Sequence, residues 1–501
     1  MSVSSCISAL MRPGVILGVL YYVAVPPAFS QAASDCRPAS GDAPALLDRG
    51  IATTGMRRLG RPALGLRVSE MVSQDYQSDR PYPPFLQEGH SATLWYFPES
   101  GLETTPGEAL DPFGPRPMFA AWSSARGSWM ARAGQWLPVP ALHRFISVTR
   151  PLNAWAVLAE WRTDSTVRVT GRCTVRDFSR VRLTRTGPLG EERLYLEPAS
   201  GLPIQYERGE DDPHQLWGRQ AVAYVYSNWF TAGAGLYPMS SFRLVDGAVQ
   251  ISRTVASLPA DSAPPQAPAL ADTIDMRRAA AAPEPRPDTV RIGATTVVLR
   301  TRFYRNVVTL ARDTIFLLDA QYSGEARARN DSAWIATLFP GRHPVVLVVS
   351  DLAWPHIAGV RSWVAMGATV VAHRSARPFL EQVIARRWRE APDLLERRRA
   401  QAKFRFVAVD DSLSLGGGAV RVYPINGIGS EGSLMSWIPA DRFLFPGDYV
   451  QGLEGPSMAY AAEVVAATRR VGVTPERFAA MHMNVTPWAD LEAALRPSST
   501  N

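Results

Sequence analysis

Two different periodicities divide the chain. Between residues 40 and 257 short runs of β-prone residues predict strands at Trp155 to Trp161, Val167 to Cys173 and Val181 to Thr184. The stretch R-L-Y-L-E-P-A-S-G-L-P-I-Q-Y-E, from Arg193 to Glu207, predicts two strands joined by its Pro-Ala-Ser-Gly-Leu-Pro centre, where Gly201 is free to take positive φ. Further antiparallel strands are expected in A-V-A-Y-V-Y-S-N-W-F and in L-Y-P-M-S-S-F-R-L-V-D-G-A-V-Q-I-S-R-T-V, the second folding back at Asp246-Gly247. From about residue 295 strands alternate with helices. Strand patterns fall at Val307 to Leu310, Thr314 to Asp319, Pro344 to Ser350, Thr369 to Ala372, Val420 to Tyr423, Leu434 to Ile438 and Phe443 to Phe445. Helical patterns fall at Ile357 to Met366 and Ala376 to Trp388.

The composition shift at 258–292 separates these regions. That Pro/Ala-rich segment reads as a semi-rigid linker between a β-rich domain, 31–257, and a second domain, 293–501. Residues 1–30 have a signal-peptide layout: Arg12, an apolar run from Val15 to Val25, then the small-residue site Ala28-Phe29-Ser30. The run is short for a membrane span, and no later segment approaches spanning length. Export to the periplasm or beyond the cell is therefore expected, with no stable membrane span once the signal is cleaved. Cleavage leaves Cys36 and Cys173, which either pair in an oxidising compartment or remain two separate buried thiols.

The formal charge of +7 comes almost wholly from arginine, since Lys403 is the only lysine. The arginines are scattered rather than gathered into a stripe, which argues against a nucleic-acid partner. Their densest stretch, Arg386 to Arg399, alternates with Trp388, Leu394 and Leu395 and predicts an amphipathic helix with a solvated basic face.

The hairpin around Pro198 to Pro203 resembles one that recurs in the half-barrel domains of periplasmic lipoprotein carriers. The resemblance implies an apolar or other small-molecule ligand in a concave face; the alternative is a domain that only packs on its neighbour. His90, His143 and His214 are isolated and read as surface or packing residues.

The second domain resembles the metallo-β-lactamase superfamily at four places, in the family's order. T-I-F-L-L-D-A-Q-Y is similar to its opening strand and acidic turn. V-V-L-V-V-S-D-L-A-W-P-H-I-A-G-V-R-S-W-V-A-M-G-A-T-V-V-A-H is similar to its metal-binding strand, loop and helix. G-S-E-G-S-L-M-S-W-I-P-A-D-R-F-L-F-P-G-D is similar to the strand pair ending in the bridging aspartate, and M-H-M-N-V-T-P-W-A-D-L to the last histidine loop. The resemblance implies an α+β class: an αβ/βα sandwich preceded by a mostly antiparallel β domain.

The family's H-x-H-x-D-H signature falls on Asp351, Ala353, Pro355 and His356, and its third-strand histidine on Gly429. The bridging aspartate falls on Asp448 and the final histidine on His482. An intact binuclear site uses five histidines, whereas this half holds only His343, His356, His373 and His482. His343 reads as a turn residue and His373 as a strand-end residue. Asp351, His356, Asp448 and His482 remain as candidate ligands for one weakly held zinc, or for iron or manganese, with no cofactor as the alternative. Pro355 removes the carboxylate that orients the attacking water. Two readings follow: a ligand-binding pseudoenzyme, or a mononuclear hydrolase of an ester, thioester, lactone or amide.

Overall fold

In the computed structural model the described residues are 35–496, apart from 59–62, 75–85, 105–106, 112–113, 118–120, 125–126, 133–134, 139–147, 176, 188–189, 213–217, 233–234, 259–261, 267–285, 302–303, 321–323, 389–391, 429 and 456. The expected signal segment and much of the expected linker lie outside them. Among the described residues no helix is long and apolar enough to cross a membrane.

Among the described residues three sheets carry the fold, which mixes helices with large antiparallel sheets. The first has 16 strands. A run of hairpins from Arg168–Val175 to Ala248–Ser257 returns to Leu64–Gln74 and Leu86–Phe97, each strand antiparallel to its neighbour. One face of this sheet is covered by the helices Ala43–Thr54 and Ala154–Thr163. Leu47, Ile51, Trp155, Leu158 and Trp161 pack there against Leu183, Leu194, Tyr206 and Tyr224.

Trp155 to Trp161, expected as a strand, is thus a helix. The side chain of Asn153 caps it by accepting from the amides of Trp155 and Ala156. Trp155, Leu158 and Trp161 recur every third residue on its buried face, and alanine fills much of the rest. That period of three outweighs the β-propensity of the tryptophans.

The hairpin turns have the expected chemistry. Asp246 and Gly247 both take positive φ, 48° and 89°, as a two-residue turn between strands demands. Gly201, at φ 73°, has a second reason to be glycine. A Cβ there would lie 2.6 Å from the Gly50 amide nitrogen and the Leu46 carbonyl oxygen, so the bare turn is what lets the first helix dock. Thr53 and Arg49 complete that contact by donating to the carbonyls of Ser200 and Pro198. Cys36 and Cys173 face each other on paired strands and form a disulfide across 137 residues of sequence.

The second sheet has seven strands and the third six. In the second, antiparallel strands ending in Thr314–Leu318 lead to a parallel set, Val345–Val348, Thr369–His373 and Arg405–Val409. The second and third sheets share one core, with Val307, Phe316, Leu318 and Val371 on one side and Val420, Leu434, Phe443 and Phe445 on the other. The helices Gly324–Leu338, Val360–Ala365 and Arg377–Ala385 cover the other face of the second sheet. Met458–Arg470 and Trp488–Ala494 cover that of the third. The layers therefore run helix, sheet, sheet, helix.

Among the described residues of Arg386 to Arg399, only Leu394–Arg397 is helical, so the helix expected there is not continuous. Its arginines bond carboxylates and carbonyls instead: Arg386 pairs with Asp246, Arg387 and Arg399 with Glu396, and Arg397 with Glu325. Arg399 and the buried Arg361 both donate to the carbonyls of Ile384 and Arg386, tying down the end of the helix Arg377–Ala385. This segment meets the first sheet: Arg386 pairs with Asp246 at 2.8 Å, and Trp388 lies over Gly218.

Candidate functional site

Parallel strands place their carboxyl ends side by side, and in open α/β sheets ligand crevices form at such ends. In the second sheet those ends carry Asp319, Ser350 with Asp351, and His373. Asp319 is fully buried and sits at φ 66°, a conformation that few non-glycine residues adopt. Its carboxylate accepts from the Ser350 amide at 2.7 Å and the Ser350 hydroxyl at 2.9 Å. Its Oδ2 also lies 2.9 Å from His356 Nδ1.

His356 is fully buried, on the short helix Trp354–Ile357 that also holds Pro355. Its second nitrogen, Nε2, faces Asp351 Oδ2 at 3.5 Å. Asp351 Oδ1 meanwhile accepts from the Ala353 amide and so fixes the start of that helix. Burial works against a charged imidazole, yet the carboxylates of Asp351 and Asp319 on either side hold His356 up at about 10.

Asp448 enters from the third sheet. Gly447 before it has φ 63°, and a Cβ there would lie 2.3 Å from Ser350 Oγ, so glycine lets the two sheets close on each other. Gln451 donates to Asp448 Oδ2 at 3.0 Å. Burial pushes the Asp448 carboxyl up to about 7; His356 pulls it down, while Asp351 and Asp319 push it further up. His482 lies at the rim, about a third exposed, with Nε2 3.3 Å from Asp448 Oδ1 and its ring 4.9 Å from that of Tyr304.

The four residues singled out in the sequence thus form two neighbouring pairs, Asp351 with His356 and Asp448 with His482. Two buried atoms, His356 Nε2 and Asp448 Oδ1, have no hydrogen-bond partner among the described residues. Both pair separations resemble the edge of a tetrahedral zinc site, roughly 3.3 Å for bonds of about 2.0 Å. Even so, among the described residues no three His, Cys, Asp or Glu side chains are arranged to hold a metal ion. Ala353 is buried without a donor, and Gly429 lies outside the described residues.

Sequence reasoning gave no role to Asp319 or Ser350. Asp319 closes the acidic turn of T-I-F-L-L-D and was visible; Ser350 carries no local signal, since its part depends on the contact with Asp319 and Gly447. The other histidines stand apart from the cluster. His343 bonds Asp313 at 2.7 Å, and His373 caps a short helix by accepting from the Ser375 amide. His90 lies on the strand Leu86–Phe97, and His143 and His214 are outside the described residues.

No protein-family model matches the chain, and no curated protein does. Solved structures do. The DIM-1 metallo-β-lactamase is 13% identical, with 42% of this chain and 95% of that one covered at a TM-score of 0.32. The metallo-β-lactamase of Pontibacter korlensis is 15% identical, covering 42% and 97% at 0.32. That of Hirschia baltica is 11% identical, covering 42% and 96% at 0.32.

Proposed function

We propose that this is an exported ligand-recognition protein on a metallo-β-lactamase scaffold, a pseudoenzyme whose cleft lies at the carboxyl ends of the parallel strands. The layer order and the motif order support the scaffold. The signal layout and the Cys36–Cys173 disulfide support export to the periplasm or beyond.

One observation carries the functional reading. The retained histidine of the family's metal loop, His356, has each ring nitrogen facing a buried carboxylate. A protonated imidazole there supplies the positive charge that a metal supplies in an intact site. Ala353 adds no donor to this pit. Ser350, Asp319 and Gly447 hold it in shape.

The spacing of the Asp351–His356 and Asp448–His482 pairs favours a second reading, a hydrolase with one weakly held zinc, iron or manganese ion. Metal analysis and calorimetric zinc titration of chelator-treated protein separate the two. The pseudoenzyme reading expects less than about one-tenth equivalent of metal after purification and a zinc Kd no tighter than roughly 10 μM, far weaker than structural zinc sites. One tightly held ion per chain, lost in His482→Ala, establishes the hydrolase reading instead.

A further inference from the structure

A hairpin beside the cleft opposes two arginines. The strands Thr296–Arg300 and Arg305–Ala311 pair so that Arg300 stands directly across from Arg305. Like charges so placed destabilise a sheet. Asp288, on the next strand, stands across from Arg300 and is ion-paired with it. Side chains two apart in a strand share a face. The arginines therefore lie on the face of Val298 and Val307, which look into the core between the second and third sheets. One step beyond those valines the pair is open to solvent: the Arg300 side chain is 39% exposed and Arg305 is half-buried. Contacts with the last histidine loop set the pair at the rim of the cleft. The Arg305 amide donates to the Met481 carbonyl at 2.8 Å, just before His482. Its guanidinium forks onto Asn484 Oδ1 at 2.8 and 3.1 Å, just after it. Tyr304, between the two strands, lies against the His482 ring.

Charge here is out of balance. Among the described residues two guanidiniums share the one carboxylate of Asp288, and Arg305 is left with a neutral amide oxygen. A guanidinium fork matches the two oxygens of a carboxylate or phosphate far better. Burial lowers the Arg305 guanidinium from its ordinary value and Arg300 lowers it further, with no described carboxylate to raise it. The fold thus keeps two opposed cations in solvent at the cleft's rim and relieves only one of them. We propose that Arg300 and Arg305 hold an oxyanion, a carboxylate or phosphate group, on the ligand that the cleft recognises. The proposal rests on the ligand-recognition reading and gives that ligand its chemical class. An amine of the same skeleton adds a third cation; an alcohol offers one uncharged acceptor.

The test is calorimetry on the full mature chain, chelator-treated and at low salt, with phenylacetate, benzyl phosphate, benzylamine and benzyl alcohol. We expect saturable 1:1 binding of at least one of the two acids, at least about 10-fold tighter than the amine or the alcohol, as charge-assisted bonds imply. The tighter acid identifies the oxyanion. Arg305→Gln removes the charge, keeps a donor for Asn484 and weakens that acid about 10-fold. Arg300→Gln does the same from the facing strand, so the test survives if one variant fails to fold. No saturable binding of either acid, amine or alcohol equal to the acids, or affinity unchanged in a folded variant overturns the proposal. So does binding that appears only when zinc is added, because the anion is then held by the metal. The two readings fail separately: one tightly held ion per chain removes the pseudoenzyme reading, whereas anion binding is read here with metal stripped away.

Discussion

The first sheet and the cleft both bury carboxylates, and they treat them in opposite ways. Glu210 in the first sheet accepts from Arg208, Arg243 and the Tyr224 hydroxyl at 2.5 to 2.6 Å. Burial alone would raise its carboxyl, but the two guanidiniums overcome that and hold it at about 2. Asp448 in the cleft is raised to about 7. The difference lies in the ratio of cations to anions. Two arginines serve one carboxylate in the sheet, whereas one buried imidazole serves Asp319, Asp351 and Asp448 in the cleft. A carboxylate in cationic surplus is a finished structural element; one in deficit keeps a demand for positive charge.

The largest expected effect tests the finished side. Glu210→Ala strands Arg208 and Arg243 in the core and should cost about 3–5 kcal/mol. Urea denaturation followed by tryptophan fluorescence measures it, and a cost under about 1 kcal/mol would place Glu210 with ordinary solvated pairs. The pH dependence has a definite sign. The folded value lies below the unfolded one, so this contribution is complete above about pH 4.5 and is lost as pH falls through about 2.

A smaller effect is expected from Asp319→Asn, about 1–3 kcal/mol, because one carbonyl oxygen still accepts from Ser350 while the charge opposite His356 is gone. The sign here is reversed. His356 is raised when folded, so its contribution is complete below about pH 6.5 and is lost as pH rises through about 10. In Asp319→Asn the titration should shift down toward the ordinary imidazole range. NMR of the imidazole resonances in chelator-treated protein follows it. An unchanged midpoint would mean that Asp351 alone sets the charge state.

Only one side of this contrast could be read from the chain, and the part that could not has a physical cause. Asp351, His356, Asp448 and His482 were visible because each follows a strand in a local motif. The turns at Gly201 and Asp246-Gly247 were visible because positive φ restricts residue choice. The helix Ala154–Thr163 was hidden because its apolar residues are also good strand formers, and its cap, Asn153, is a single side chain. The break in helix after Ala385 was hidden because Arg361, which bonds the Arg386 carbonyl and Asp393, lies more than twenty residues earlier. The saturation of Glu210 was hidden for the same reason: Arg243 reaches it across 33 positions, and only the strand register brings them together.

The smallest effect concerns a third kind of charge, at the join between the two halves. Arg386 Nη2 lies 2.8 Å from Asp246 Oδ2, and both side chains are about one-third exposed. Solvent screens such a pair, and holding a long arginine in place costs entropy, so a double-mutant cycle with Arg386→Ala and Asp246→Asn should give a coupling of only about 0.2–1 kcal/mol. Asparagine suits the cycle because its Oδ1 still accepts from the Ala221 amide, which Asp246 does at 3.0 Å, and the hairpin turn is preserved. The coupling should shrink as salt is raised from 0.05 to about 0.5 M, since the screening length falls below about 10 Å over that range. Urea denaturation at both ionic strengths measures the cycle. A coupling above about 2 kcal/mol that ignores salt is the mark of a desolvated pair. It would move Arg386–Asp246 into the class of Glu210 and make the join between the halves a rigid one, with Trp388 over Gly218 sealing it from water.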